Sequence, residues 1–192
     1  MKHKLANPLR LVIALASLYF VIDAFRSEFF GSLQYFTYTG SLVGALVLLF
    51  VVAGRLDERH LVLPFSITVI IHVVYIVLLV GPDGIINDLL TGGAENLVLH
   101  YLPPYLLLID LVLLSRARIY LYRDALTYLI VPVAYLGYVA IYGQVAREYP
   151  YFFLNVGELG FAVLYYVAAI ATFFVALNLF VIAIKRRTAV VR

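Results

Sequence analysis

Three hydroxyls enter an apolar run in Leu33-Gln34-Tyr35-Phe36-Thr37-Tyr38-Thr39-Gly40-Ser41, and only apolar residues and glycine follow from Leu42 to Gly54. A threonine hydroxyl is a poor nucleophile until a base takes its proton, and a neutral imidazole suits that task. The chain has no cysteine, which excludes a thiol nucleophile, a disulfide and a thiolate metal site. Its neutral-pH bases are four histidines. One of them, His100, intrudes into the apolar segment Leu97-Val98-Leu99-His100-Tyr101-Leu102-Pro103-Pro104. An ionisable group buried among apolar residues is costly, and is a candidate for function for that reason. One of the three hydroxyls, Thr37, Thr39 or Ser41, as nucleophile and His100 as general base are the pair to follow.

The elements that must hold this pair are membrane helices. Of 192 residues, 65% are hydrophobic and 13% charged, with a mean hydropathy of +1.01. Soluble domains are about half apolar and about a quarter charged, so the composition points to an integral membrane protein. In a bilayer the backbone must satisfy its own hydrogen bonds, and the long apolar runs do so as helices. Polar turns and Gly-Pro signals divide the chain into six spans, approximately 9–25, 34–54, 63–80, 97–114, 125–142 and 160–184, with a loop from Gly81 to about Asn96 between the third and the fourth. The expected fold is an all-α, six-helix membrane bundle in one domain covering 1–192. The first span follows a basic head, as a secretory signal does, but no small-residue cleavage site follows it and it reads as retained. Nothing is basic enough to suggest nucleic-acid binding.

Charge placement orients the bundle. The head, the turns at Arg55–Arg59 and around Arg116 to Arg123, and the tail from Lys185 on hold 12 of the 14 Lys and Arg, leaving Arg26 and Arg147 opposite. The positive-inside rule then puts both termini in the cytoplasm, which an even number of spans requires.

Orientation turns position into depth. Thr37 and His100 each lie about one turn below the outer surface, level with Tyr35, Tyr101, Asp23 and Glu158, at ~1.5 Å per residue. Asp110 lies roughly 15 Å deeper than His100, too far to orient that ring directly. Pro103 and Pro104 cannot donate to the carbonyls four residues back, so Leu99 and His100 lose their helical partners beside the imidazole. Thr39 and Ser41 read as helix packing or substrate contacts. His72, central in its span, reads as structural, with Asp110 as one partner. Asp110 itself must be protonated or paired. Only His72 and His100 are available as the paired ligands of a bundle haem, and a histidine-only zinc site lacks its third ligand unless a carboxylate joins, so no cofactor and no metal are expected.

The sequence resembles the androgen-induced membrane-protein family and its bacterial relatives. Tyr35-Phe36-Thr37 opens an apolar helix, His100 has Pro104 four on and Asp110 ten on, and Glu148-Tyr149-Pro150-Tyr151-Phe152-Phe153-Leu154-Asn155-Val156-Gly157 follows in order. The resemblance runs from the second span to the sixth. It implies a multi-pass threonine hydrolase of fatty acid esters of hydroxy fatty acids, with Thr37 as nucleophile and His100 as the essential histidine. Gly40-Ser41 stands where bacterial relatives often have Ser-Asn, and Asp110 where eukaryotic members tend to have glutamate.

The expected function is therefore an intramembrane lipid-ester hydrolase in a prokaryotic cytoplasmic membrane, its partner a membrane lipid or lipid-like ester. Around Thr37 and His100, the supporting or pocket residues are Tyr35, Thr39, Ser41, His72, Tyr101 and Asp110. Two alternatives compete. A small proton-coupled transporter would use the same histidines and Asp110, although no pair of broken helices repeats in corresponding halves. A non-catalytic lipid-binding protein would need its polar residues only to join helices.

Overall fold

Long apolar runs broken by glycine, proline and charged turns give helices joined by short connections, and the computed structural model has that form. It describes residues 3–115, 117 and 119–190; Lys2, Arg116, Arg118 and Arg192, which enter the charge asymmetry, lie outside them. Among the described residues there is no strand. Helix α1 is His3–Ser27, α2 is Phe29–Leu33 and α3 is Phe36–Val52. Helix α4, Val62–Val74, continues as a π-helical turn over Tyr75–Val80. The short α5 (Ile85–Thr91) and α6 (Gly93–Asn96) lead into a second π segment, Leu97–Tyr101, and then α7, Leu102–Ile109. The chain closes with α8 (Tyr122–Thr127), α9 (Ile130–Ala146), α10 (Val156–Leu159) and α11 (Val163–Val190).

Among the described residues, five helical stretches are long and apolar enough to cross a membrane: Leu5–Ser27, Glu58–Val80, Gly93–Leu114, Tyr122–Ala146 and Val156–Thr188. The expected span at 34–54 is the exception. Its helix, α3, has 17 residues, roughly 25 Å at the helical rise. Tyr35 in extended conformation starts it late, and Gly54, at φ +68°, follows its last turn.

Residues 81–96, expected as a loop, are largely helical. The reason lies in α5, where Ile85-Ile86 and Leu89-Leu90 give an apolar repeat around Asp88. Asn96 is buried and donates to Asp88 Oδ2 at 2.7 Å, so these polar groups satisfy one another rather than water.

Helix α4 is the centre of the bundle, packed by α3, α7 and α11, while α1 covers the other side of α3. Its residues Val62 and Ile67 are fully buried. Gly40 and Gly44, one turn apart, let α3 approach it closely. A Cβ on Gly40 would stand 3.0 Å from the Ile67 methyl, and one on Gly44 would meet Pro64. This is the small-residue spacing by which membrane helices bring backbones together. Outward faces are apolar instead: Tyr165 and Phe161 of the last span, Val145 of α9 and Tyr19 of α1 are largely exposed.

Two polar clasps lie inside. Ser66 Oγ donates to Asn178 Oδ1 at 3.0 Å, and Asn178 Nδ2 donates to the Phe174 carbonyl at 2.7 Å. Arg10, almost fully buried, donates from Nε and Nη2 to the two oxygens of the fully buried Asp110, at 2.7 and 3.0 Å. Its Nη1 donates to Glu58 at 2.7 Å. Asp110 is thus an interhelical partner of α1. It is neither paired with His72 nor part of a pocket with Thr37, because its depth carries it to the opposite half of the bundle.

Candidate functional site

Helix α3 presents Thr37 in its first turn, and the π segment before α7 presents His100. The two meet: Thr37 Oγ1 is 3.2 Å from His100 Nε2. A wider π turn rotates side chains relative to an α-helix, and such turns recur at functional sites. Here both His100 and Tyr75 begin or occupy one, and their rings stack at 3.9 Å between centroids with 21° between planes.

The prolines account for the next contact. The His100 carbonyl, denied its α-helical donor by Pro104, accepts from His72 Nδ1 at 2.8 Å. A carbonyl only accepts, so Nδ1 of His72 carries the hydrogen and its Nε2 is free to accept from the Tyr105 hydroxyl, 3.1 Å away. His72 is therefore a strut under His100.

On the other side of the His100 ring, Asp88 gathers three donors. The Tyr75 hydroxyl donates to it at 2.9 Å, the Tyr101 hydroxyl at 2.7 Å and Asn96 Nδ2 at 2.7 Å. Burial pushes the Asp88 carboxyl up, but these three donors outweigh it and hold the group below its ordinary range. Asp88 thus fixes the ring that stacks on His100. His100 Nδ1 is buried with no hydrogen-bond partner among the described residues. For Nε2 to accept the threonine proton, Nδ1 must carry the hydrogen, and catalytic contacts of this kind often tighten only when substrate binds.

Thr37 also faces a cavity. It has an empty volume of about 730 Å³ including its open mouth, and runs between α4, α9 and α11 with Thr37 and Tyr75 in its wall. Tyr151, from the loop after α9, also lines it. Tyr151 shares that wall with Phe36 and Thr37, and the Thr37 hydroxyl and the two backbone N–H groups act on its phenol. Burial pushes this phenol up while those contacts pull it down, with burial the stronger. It therefore holds its proton at neutral pH as a donor. The N–H groups belong to the first turn of α3, where a helix leaves donors without intrahelical partners and its dipole favours negative charge.

The other expected residues fall in different places. Tyr101 is in the Asp88 network. The Tyr35 ring meets the rings of Tyr38 and Tyr151 edge to face. Thr39 bonds back to the Tyr35 carbonyl at 3.1 Å, as a helical threonine commonly does. Ser41 is buried in α3. Among the described residues, neither Thr39 nor Ser41 lines the cavity. Asp23 and Glu158, level with the site by depth, are exposed. No group of three or more His, Asp or Glu among the described residues is placed to hold a metal.

Sequence reasoning missed Asp88, Tyr75 and Tyr151. The signal for Asp88 was an acid embedded in an apolar repeat within a stretch taken as a loop. Tyr75 carried none, since it looks like one more aromatic among 16 tyrosines, and Tyr151 stood out only as part of the aromatic run from Glu148 to Gly157. Searches against family models, curated proteins and solved structures find no match to this chain.

Proposed function

We propose that the protein hydrolyses lipid esters of the fatty acid ester class within the membrane, using Thr37 as nucleophile and His100 as general base. The observation that carries this is the 3.2 Å contact between Thr37 Oγ1 and His100 Nε2 beside an apolar cavity. The resemblance to the androgen-induced membrane-protein family supports the same two residues. His100 takes the proton of Thr37 as the hydroxyl oxygen attacks the ester carbonyl. The tetrahedral intermediate collapses as His100 returns that proton to the leaving alcohol oxygen, leaving an acyl-threonine. Water then attacks the acyl carbon, giving its proton to His100, which restores the threonine hydroxyl as the fatty acid departs. The Tyr151 hydroxyl and the free N–H groups of the first turn of α3 are the donors suited to the oxyanion.

In this reading α3 is a sixth, shorter crossing and both termini are cytoplasmic, as the charge asymmetry favours. The protein then resides in a cell membrane with the site near its outer face. The test is purified protein with a lipid ester and a hydrolase-directed covalent probe. Turnover and labelling should vanish in Thr37→Ala, turnover should vanish in His100→Ala, and both variants should keep the wild-type melting behaviour. Wild-type turnover in the two variants would mean that another group does the chemistry.

A further inference from the structure

The cavity has one polar end. Apart from Thr37 its walls are apolar side chains and three tyrosines. Each tyrosine uses its hydroxyl elsewhere: Tyr75 on Asp88, Tyr135 on the Gln34 carbonyl at 2.7 Å, and Tyr151 toward Thr37. They offer the interior their rings. Below Thr37 no lining side chain among the described residues can answer a polar ligand atom, so whatever fills the cavity must be apolar along its length.

His100 is not in the cavity wall among the described residues; it stands behind Thr37 and Tyr75. This assigns the two halves of an ester. The general acid must reach the leaving alcohol, so the alcohol lies on the His100 side and the acyl group in the cavity.

The depth of the cavity is fixed by its floor. Thr37 is about level with Tyr75 through the ring stacked between them. The deepest lining residues are Ile70 of α4 and Ala171 and Phe174 of α11. Phe174 is 2% exposed, and one turn beneath it the Ser66–Asn178 clasp closes the bundle. From Tyr75 to Ile70, and from Val167 to Phe174, the drop is roughly 7–11 Å at the helical rise.

We infer that this cavity is a ruler for the acyl group, taking one unbranched chain whose length Phe174 limits. At ~1.25 Å per carbon, the projection of a ~1.5 Å tetrahedral C–C bond, the floor admits about six to eight carbons beyond the carbonyl. The inference rests on the ester-hydrolase reading for the position of the carbonyl, but binding tests it without turnover. The full-length Thr37→Ala protein in detergent is titrated with a fluorescent fatty acid, then challenged with straight-chain acids from butyrate to palmitate, a branched acid and a sterol.

Medium-length straight chains should compete best, at least tenfold better than the branched acid or the sterol. Phe174→Ala lowers the floor to Asn178, about four residues or ~6 Å, and should move the optimum up by as many as five carbons. Ala171→Leu should move it down, and it serves as the second variant if Phe174→Ala does not fold. A flat dependence on length, equal competition by the sterol, or an optimum unmoved in both variants overturns the ruler. If the optimum moves but wild-type protein cleaves no ester, the ruler stands and the hydrolase reading falls. If Thr37-dependent hydrolysis is seen with no length preference, the reverse holds.

Discussion

Replacing Asp88 by alanine removes one acceptor from three donors and tests whether the network above His100 positions that ring. Tyr101 and Asn96 are 7% and 8% exposed, so their donors cannot turn to water. A buried donor left without a partner costs about 1–3 kcal/mol. Two of them, counted below full additivity because they share one acceptor, give a loss of about 3 kcal/mol in stability. The effect on turnover comes through Tyr75, whose hydroxyl is tied to Asp88 at 2.9 Å and whose ring lies 3.9 Å from that of His100. A displacement of about 1 Å in a catalytic group costs on the order of 100-fold in rate. Turnover per folded molecule should fall by about that factor, with KM little changed, since Asp88 lines none of the apolar cavity among the described residues. Asp88→Asn keeps one acceptor oxygen but faces another donor with its own amide, and should fall between. Burial raises the Asp88 carboxyl but its donors lower it further, so its folded value lies below the ordinary 3.8. Its contribution is then complete above that value and is lost as pH falls through the lower folded one. Ester turnover and unfolding in detergent, measured on the same preparations, decide the matter. Loss of stability with unchanged turnover per folded molecule would refute positioning and leave Asp88 purely structural.

Other perturbations reach different parts of the molecule. Arg10→Ala strands the fully buried Asp110 and should cost about 3–5 kcal/mol, whereas the double change Arg10→Met, Asp110→Leu should recover most of it; chemical denaturation of the three proteins compares them. Gly40→Leu forces α3 away from Ile67, whose methyl already stands 3.0 Å from a Cβ at that position, and should lose about 1–3 kcal/mol. Because Thr37 is one turn along α3, turnover in that variant should drop further than its stability does. Tyr151→Phe removes a hydroxyl beside Thr37 while keeping the ring in the cavity wall; kcat should fall by about 100-fold, the scale of one oxyanion donor, with KM nearly constant.

The linear order of residues determined the class of this protein and the depth of its polar groups. Apolar runs in a chain with 13% charged residues leave few alternatives to membrane helices, and the fixed rise of a helix puts Thr37 and His100 at one level and Asp110 well below. The freed His100 carbonyl was legible too, because proline chemistry is local. Depth, however, says nothing about azimuth. Which face of α3 meets α7, and therefore that Thr37 rather than Thr39 touches His100, follows from the close approach of α3 to α4 at Gly40 and Gly44 and from the π turns that rotate Tyr75 and His100 together. Asp88 was hidden for the opposite reason. Its three partners lie on the end of α4, on α6 and in the turn before α7, and only the packing of those elements turns the α5 carboxylate into an anchor. The threonine and the histidine were in the sequence, and the contact between them is a property of the fold.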